Sequence, residues 1–248
     1  MAIIMSGISL IRQLNMHFAF NQSNNFDLIK QQYQVDKRVR IDNVLESSLA
    51  QKLCDSVSKL QYTHAFFQNG VNQSITHQQL HSMSSQNKQR FFKLLYSDAA
   101  KGVGFFYGRH QISLGSEVDD SLLYKVFDWL NAPHTLEIIK TITGMNDITN
   151  TSAQATQYVP GHYLTRHNDV NHQEQRRVAY VLSMSKQWHP DWGGLLQFYQ
   201  ANGTPKDAWA PQFNSMALFD VNHVHGVSYV APYATQARYS ITGWFRAD

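Results

Sequence analysis

The sequence predicts an α+β fold: helices first, then a β-rich half of the double-sheet jelly-roll kind that the helices buttress. Three observations predict it. Helical periodicity is confined to the chain before about residue 150. After Asn150, strand-length runs alternate with turns to the C-terminus. No Pro/Ser/Gly-rich linker separates the halves, so the 248 residues read as one domain. Residues 1–40 form its arm, 41–149 mainly helical support, and 150–248 the β core.

Taken in order, the apolar start, Met1 to Arg12, is too short to span a bilayer and lacks a basic flank. It reads as part of the mature chain, an arm or strand on a neighbour. Residues 13–40 are polar and read as surface. Asn43-Val-Leu-Glu46 has the form of a capping box, and Val44, Leu45, Leu49, Leu53, Val57 and Leu60 recur at helical spacing, so a helix is expected over 43–60. The Gln/His-rich stretch 61–83 reads as solvated loop, its His64, His77 and His81 matching no ligand spacing. Ser85 to Tyr96 is expected as a helix, Gly102 to Gly108 as a strand, and Ser121 to Leu130 and Pro133 to Thr143 as helices. Pro133 suits a first turn and Gly144 a C-terminal cap.

Seven strands are expected beyond: Ala153–Val159, Tyr163–His167, Val178–Ser183, Gly194–Tyr199, Ser215–Asp220, Gly226–Val230 and Tyr239–Phe245. Asp191-Trp-Gly-Gly194 and Asn202-Gly-Thr-Pro205 supply turn chemistry between them.

Composition narrows the function. With 43% hydrophobic residues the chain can bury a sizeable core. A net charge of +3 without a dense Lys/Arg run argues against a nucleic-acid partner, and the lack of a long apolar run argues against a membrane role. Cys54 is the single cysteine, on the apolar stripe of an expected helix; it reads as core filler, and the lack of a possible internal disulfide fits the cytoplasm.

The chemistry concentrates in Gln157 to Asp169. His167-Asn-Asp169 is a His-x-Asp triplet, and alternation along a strand lets both side chains reach one metal ion. A third ligand is available 58 positions on, at His225, with His223 sharing its strand parity. Two His and one carboxylate with open positions opposite form the facial triad of non-heme Fe(II) oxygenases. Arg238 follows 13 positions later, sharing a strand face with Ser240 and Thr242. A guanidinium with a nearby hydroxyl can grip a carboxylate.

Tyr158-Val-Pro-Gly161, His167-Asn-Asp169, the strand Val178–Leu182, Trp188 with Gly193-Gly-Leu-Leu196, His225-Gly-Val227 and Arg238-Tyr-Ser-Ile-Thr-Gly-Trp-Phe245 occur in order. In that order they resemble the prolyl-4-hydroxylase-like branch of the 2-oxoglutarate/Fe(II) dioxygenases. The resemblance covers the C-terminal hundred residues or so and implies a double-stranded β-helix. It selects His225, two residues before a Val, over His223. The gap from His225 to Arg238 is longer than the family pattern. The resemblance implies Fe(II) on His167, Asp169 and His225, and 2-oxoglutarate held by Arg238, Thr242 and Tyr158. Tyr163 and Tyr180 are balanced between a cosubstrate role and core packing. O2 is the co-reactant, ascorbate a further cofactor, and succinate and CO2 the products. The substrate implied is a prolyl residue of a peptide or protein. Loop 168–177, bearing Arg176 and Arg177, is a candidate border of its groove. Two other readings stay open: a cupin-like metal isomerase or hydrolase, and a non-catalytic iron- or 2-oxoglutarate-sensing module.

Overall fold

The computed structural model describes residues 18–112 and 121–247; the first twelve residues, read above as an arm or strand, lie outside them. In chain order the helices are α1 (Phe26–Asp36), α2 (Ser47–Ser58), α3 (His77–Ser82), α4 (Ser85–Ala99), α5 (Ser121–Asn131) and α6 (Pro133–Thr143). The strands begin with β1 (Arg38–Ile41), β2 (Thr63–Gln68), β3 (Val71–Thr76) and β4 (Phe105–Ile112), all in the N-terminal half. Then come β5 (Asn150–Thr151), β6 (Ala153–Tyr158), β7 (Tyr163–His167), β8 (Arg176–Ser183) and β9 (Leu196–Tyr199). β10 (Pro205–Trp209), β11 (Ser215–Asp220), β12 (His225–Val227) and β13 (Arg238–Arg246) complete the set.

Strands β6 to β13 form two antiparallel four-stranded layers, ordered β11-β8-β13-β6 and β7-β12-β9-β10. This is the jelly-roll order, with sequence-distant strands side by side. β4 lies between β6 and β7 and joins the layers into one curled sheet. Helices α1, α2, α5 and α6 cover the outer face of the first layer. Their apolar stripes bury Tyr33, Leu53, Val126, Leu130 and Ile139 against Leu182, Leu218, Ile241 and Phe245. That contact explains why β8 is apolar on both faces: one side meets the helices and the other the space between layers, where Ala179, Leu196, Phe198, Ala217 and Phe219 cluster. The rest of that interior is polar, and the site lies there.

Three expectations need correction. The stretch 61–83 is not solvated loop. It is the hairpin β2–β3 followed by α3, and β2 extends the sheet beyond β4. Its turn is Asn69-Gly70, both with positive φ (54° and 80°), a dipeptide that favours tight hairpins. Residues 13–40 do not simply run over the surface. α1 packs on α6, and β1 adds an edge strand to β11, with Arg38 opposite Phe219. The 41–149 support is therefore part sheet as well as helix. Finally, α2 begins at Ser47, not Asn43, and its cap is Glu46, whose carboxylate accepts from the Ser48 and Leu49 amides. Asn43 is held in a left-handed conformation (φ 50°), and Val44 and Leu45 go into the core, where Asn214 brackets Leu45 by accepting from its amide and donating to its carbonyl.

Other boundaries moved little. α6 spans Pro133–Thr143, and Gly144 caps it at φ 78° by donating to Lys140 O. β4 starts at Phe105 because Gly102 and Gly104 take positive φ and turn the chain.

Candidate metal centre

β7 ends at His167 and β12 begins at His225, and the pairing register sets them directly opposite each other. Their rings lie 4.3 Å apart. Asp169, two residues past β7, is fixed by its amide donating to Val221 O at 2.9 Å. Its carboxylate oxygens then lie 3.5 Å from His167 Nε2 and 3.4 Å from His225 Nε2. Each imidazole is oriented by a carbonyl two residues back on its own segment: Thr165 O, 3.0 Å from His167 Nδ1, and His223 O, 2.9 Å from His225 Nδ1. Such partners leave Nε2 free to face a metal. One ligand atom from each of the three residues falls within 4.8 Å of the others, a set able to hold one cation.

The electrostatics agree with a cation site. Burial opposes ionisation of Asp169, but the facing His167 and His225 outweigh it and hold the carboxyl near 2. Burial pushes His225 down to about 4, so its imidazole is neutral, the ligating form. Burial also works against charge on His167, yet the bond to Asp169 raises it. Arg176 reaches within 4.0 Å of Asp169, pairs with Glu174 at 2.9 Å, and lies 3.5 Å over the Trp244 ring.

Arg238 opens β13 opposite Tyr158 of β6. It is only 2% exposed, and its Nε and Nη1 have no hydrogen-bond partner among the described residues. Burial presses its pKa down, and the Tyr158 ring face, 5.1 Å away, is its nearest compensation. A desolvated guanidinium with idle donors is costly unless an anion completes it. Gly194 shapes its stem: at φ 62° it presses close to the Trp188 ring, and a Cβ there would stand 3.1 Å from that ring and 3.5 Å from Arg238 Cδ.

The metal-facing trio and Arg238 line one cavity of about 800 Å³, together with Tyr158 and Thr242. Thr242 lies four residues along β13 and accepts from Gln154 Nε2 at 3.4 Å. Between them Ser240, which the sequence placed on this face without a role, meets Thr156 at 3.0 Å, both buried. Thr156 and Trp244 also line the cavity without having been given a role by the sequence, and Arg176, expected only as a groove border, lines it too. Alternation along β13 carried the signal for Trp244; nothing in the sequence pairs Thr156 with Ser240.

The remaining candidates separate. His223 turns away, its Nε2 2.7 Å from Asp36 O. Tyr163 leaves the cavity, donating to Leu95 O in a different cluster. Tyr180 lines the cavity, but its hydroxyl is taken by Ser152 O at 2.9 Å. Arg176 points into the cavity, whereas Arg177 pairs with Asp147 at 2.9 Å. His64 stacks on Phe106 beside His162, apart from the cavity.

Known proteins share this architecture. The chain superposes on a Pseudomonas putida prolyl-4-hydroxylase with a TM-score of 0.62 at 15% identity, covering 90% of this chain and 100% of that one. It also matches a Trichoplax adhaerens prolyl hydroxylase, solved with a hypoxia inducible factor peptide fragment, with a TM-score of 0.63 at 18% identity, covering 90% and 89%. Identities this low establish the double-stranded β-helix fold and no more. In sequence, 79 residues are 37% identical to mouse (Mus musculus) prolyl 3-hydroxylase OGFOD1, a match that spans 29% of this chain and 14% of that relative. Residues 153–246 match the family model of the 2OG-Fe(II) oxygenase superfamily, a family that takes Fe(II), 2-oxoglutarate and O2. That span holds the motifs from Tyr158 to Phe245 and all three metal-facing side chains, and residues 153–246 are accordingly a 2OG-Fe(II) oxygenase domain.

Proposed function

We propose that this chain is an Fe(II)- and 2-oxoglutarate-dependent dioxygenase that hydroxylates a prolyl residue of a peptide or protein, releasing succinate and CO2. One observation carries the reading: a convergent His-Asp-His set shares a cavity with a buried arginine whose donors are idle. The donors fit the groups. Two imidazoles and a carboxylate suit Fe(II), and a desolvated guanidinium suits the far carboxylate of 2-oxoglutarate. A cupin-like isomerase or hydrolase would have no use for that guanidinium.

When bound, iron and 2-oxoglutarate supply the activation of O2 and the oxidising power for the C–H bond. The chain supplies position and exclusion. His167, Asp169 and His225 hold the metal from one side. Arg238 anchors the cosubstrate, with Ser240, Thr156, Thr242 and Tyr158 on the same wall. Trp188 and Gly194 close around the guanidinium stem and keep water from it. Arg176, stacked on Trp244, steadies the Asp169 carboxylate.

The prolyl substrate is supported by the names of the relatives. A need for ascorbate rests on the family resemblance, and a cytoplasmic setting on the single cysteine; both are part of this proposal. The test incubates the protein with Fe(II), 2-oxoglutarate, O2 and proline-containing peptides, with and without ascorbate. Succinate and singly oxygenated peptide should appear together. Full iron-dependent succinate release by His167→Ala would sink the reading.

A further inference from the structure

The cavity wall carries five arginines against two carboxylates, Asp169 and Glu174. Fe(II) and the 2-oxoglutarate dianion cancel each other, so loading the centre leaves this positive excess in place. Three of the arginines are engaged. Arg238 is committed to the cosubstrate, Arg176 pairs with Glu174 at 2.9 Å, and Arg246 donates to Asn150 Oδ1. Arg109 and Arg166 line the same cavity, and neither forms an ion pair with a carboxylate of the described residues.

Their positions bracket the centre. Register carries one row across three strands: Ser240 on β13 faces Thr156 on β6, which faces Arg109 on β4. At roughly 5 Å per strand, the Arg109 backbone stands about 10 Å from that of Ser240, on the same inner face. β4 lies outside the eight-stranded jelly roll, so Arg109 sits on a shelf beyond the cosubstrate wall rather than on it. Arg166 belongs to the opposite layer, immediately before His167, so alternation turns it off the His167 face and it borders the cavity at its rim. It is exposed, with its guanidinium on Gly203 O at 3.3 Å and over the Tyr199 ring at 5.5 Å. A chain laid across the metal would have one cation on each side. Guanidinium groups grip carboxylates in pairs of charge-assisted bonds, and uncompensated cations in a cleft draw anions toward it.

We propose that the substrate is an acidic peptide segment, with Asp or Glu side chains flanking the reacting residue and read by Arg109 and Arg166. This rests on the prolyl hydroxylase reading above and names its substrate class.

The test uses the full chain and synthetic peptides with a central proline in an alanine background. Each flanking position is occupied in turn by Glu or Lys. Glu at one or more positions should raise kcat/KM about tenfold over Lys, the scale of one charge-assisted bond. The advantage should shrink in high salt. Arg109→Glu and Arg166→Glu should reverse the preference toward Lys at distinct positions, and Arg109→Gln should abolish it at the Arg109 position. The Fe(II)/2-oxoglutarate charge-transfer band reports that each variant still assembles its centre. Equal turnover of Glu and Lys peptides overturns the inference and leaves the hydroxylase reading standing. So does a Glu preference that survives both charge reversals. Hydroxylation of no peptide of either charge overturns the hydroxylase reading, and the inference with it.

Discussion

His167 and His225 are 58 residues apart in the chain, yet they face each other across one strand pair with rings 4.3 Å apart. Antiparallel pairing of β7 with β12 sets them opposite each other. Asp169 lies between the two Nε2 atoms, 3.5 Å and 3.4 Å away.

A metal that binds the folded chain and not the unfolded one is a stabilising ligand. Fe(II) or Mn(II) under anaerobic conditions should raise Tm, by the equivalent of about 2.7 kcal/mol at a hundredfold excess over Kd. A chelator should reverse the rise. His225→Ala should show no rise at all, which calorimetry would detect directly.

Arg238 is buried with idle donors, so its charge costs stability until an anion arrives. Arg238→Met should leave the Tm of the metal-free, cosubstrate-free protein unchanged or higher. The same variant should lose the further Tm rise produced by 2-oxoglutarate, with KM for the cosubstrate up about a hundredfold. A large fall in Tm without ligands would contradict this account.

Gly194→Ala puts a Cβ at φ 62° and 3.1 Å from the Trp188 ring, next to the Arg238 stem. The substitution should cost about 1–2 kcal/mol. It should also weaken 2-oxoglutarate binding more than metal binding, and titration of each ligand separates the two.

Asn214 is buried and bonds both polar backbone atoms of Leu45. Asn214→Ala strands that amide and carbonyl, so it should cost about 2–4 kcal/mol by denaturant unfolding. Metal affinity should stay as in the parent, because the residue holds the helical layer and not the centre.

His162 is buried, and burial depresses its pKa to about 4. Protons then bind the unfolded chain first, so the neutral ring's contribution to stability is full above about pH 6.5 and is lost as pH falls toward 4. The loss at this site should approach roughly 3 kcal/mol. His162→Asn should flatten the pH dependence of unfolding over that window; an unchanged slope would assign the sensitivity to other groups.

By itself the sequence determined the placing of helices ahead of a β-rich half, the ends of α6, β7 and β11, and the jelly-roll class. Period-2 and period-3.6 patterns are local and survive without a partner. It also singled out the candidate side chains for the chemistry, because His-x-Asp, the distal histidine and the arginine each lie within a short motif. What escaped was decided by pairing. Thr63–Gln68 is strand because β4 gives it hydrogen bonds, although Gln and His surround it and only Asn69-Gly70 announced the turn. Ser240 matters because Thr156 meets it from another strand, and His223 is removed from contention by a carbonyl of Asp36, 187 positions away. Arg109 joins the cavity only because β4 pairs with β6 and extends the layer past it. Register between distant strands is set by the collapse of the whole core, so the tertiary structure alone placed these groups together.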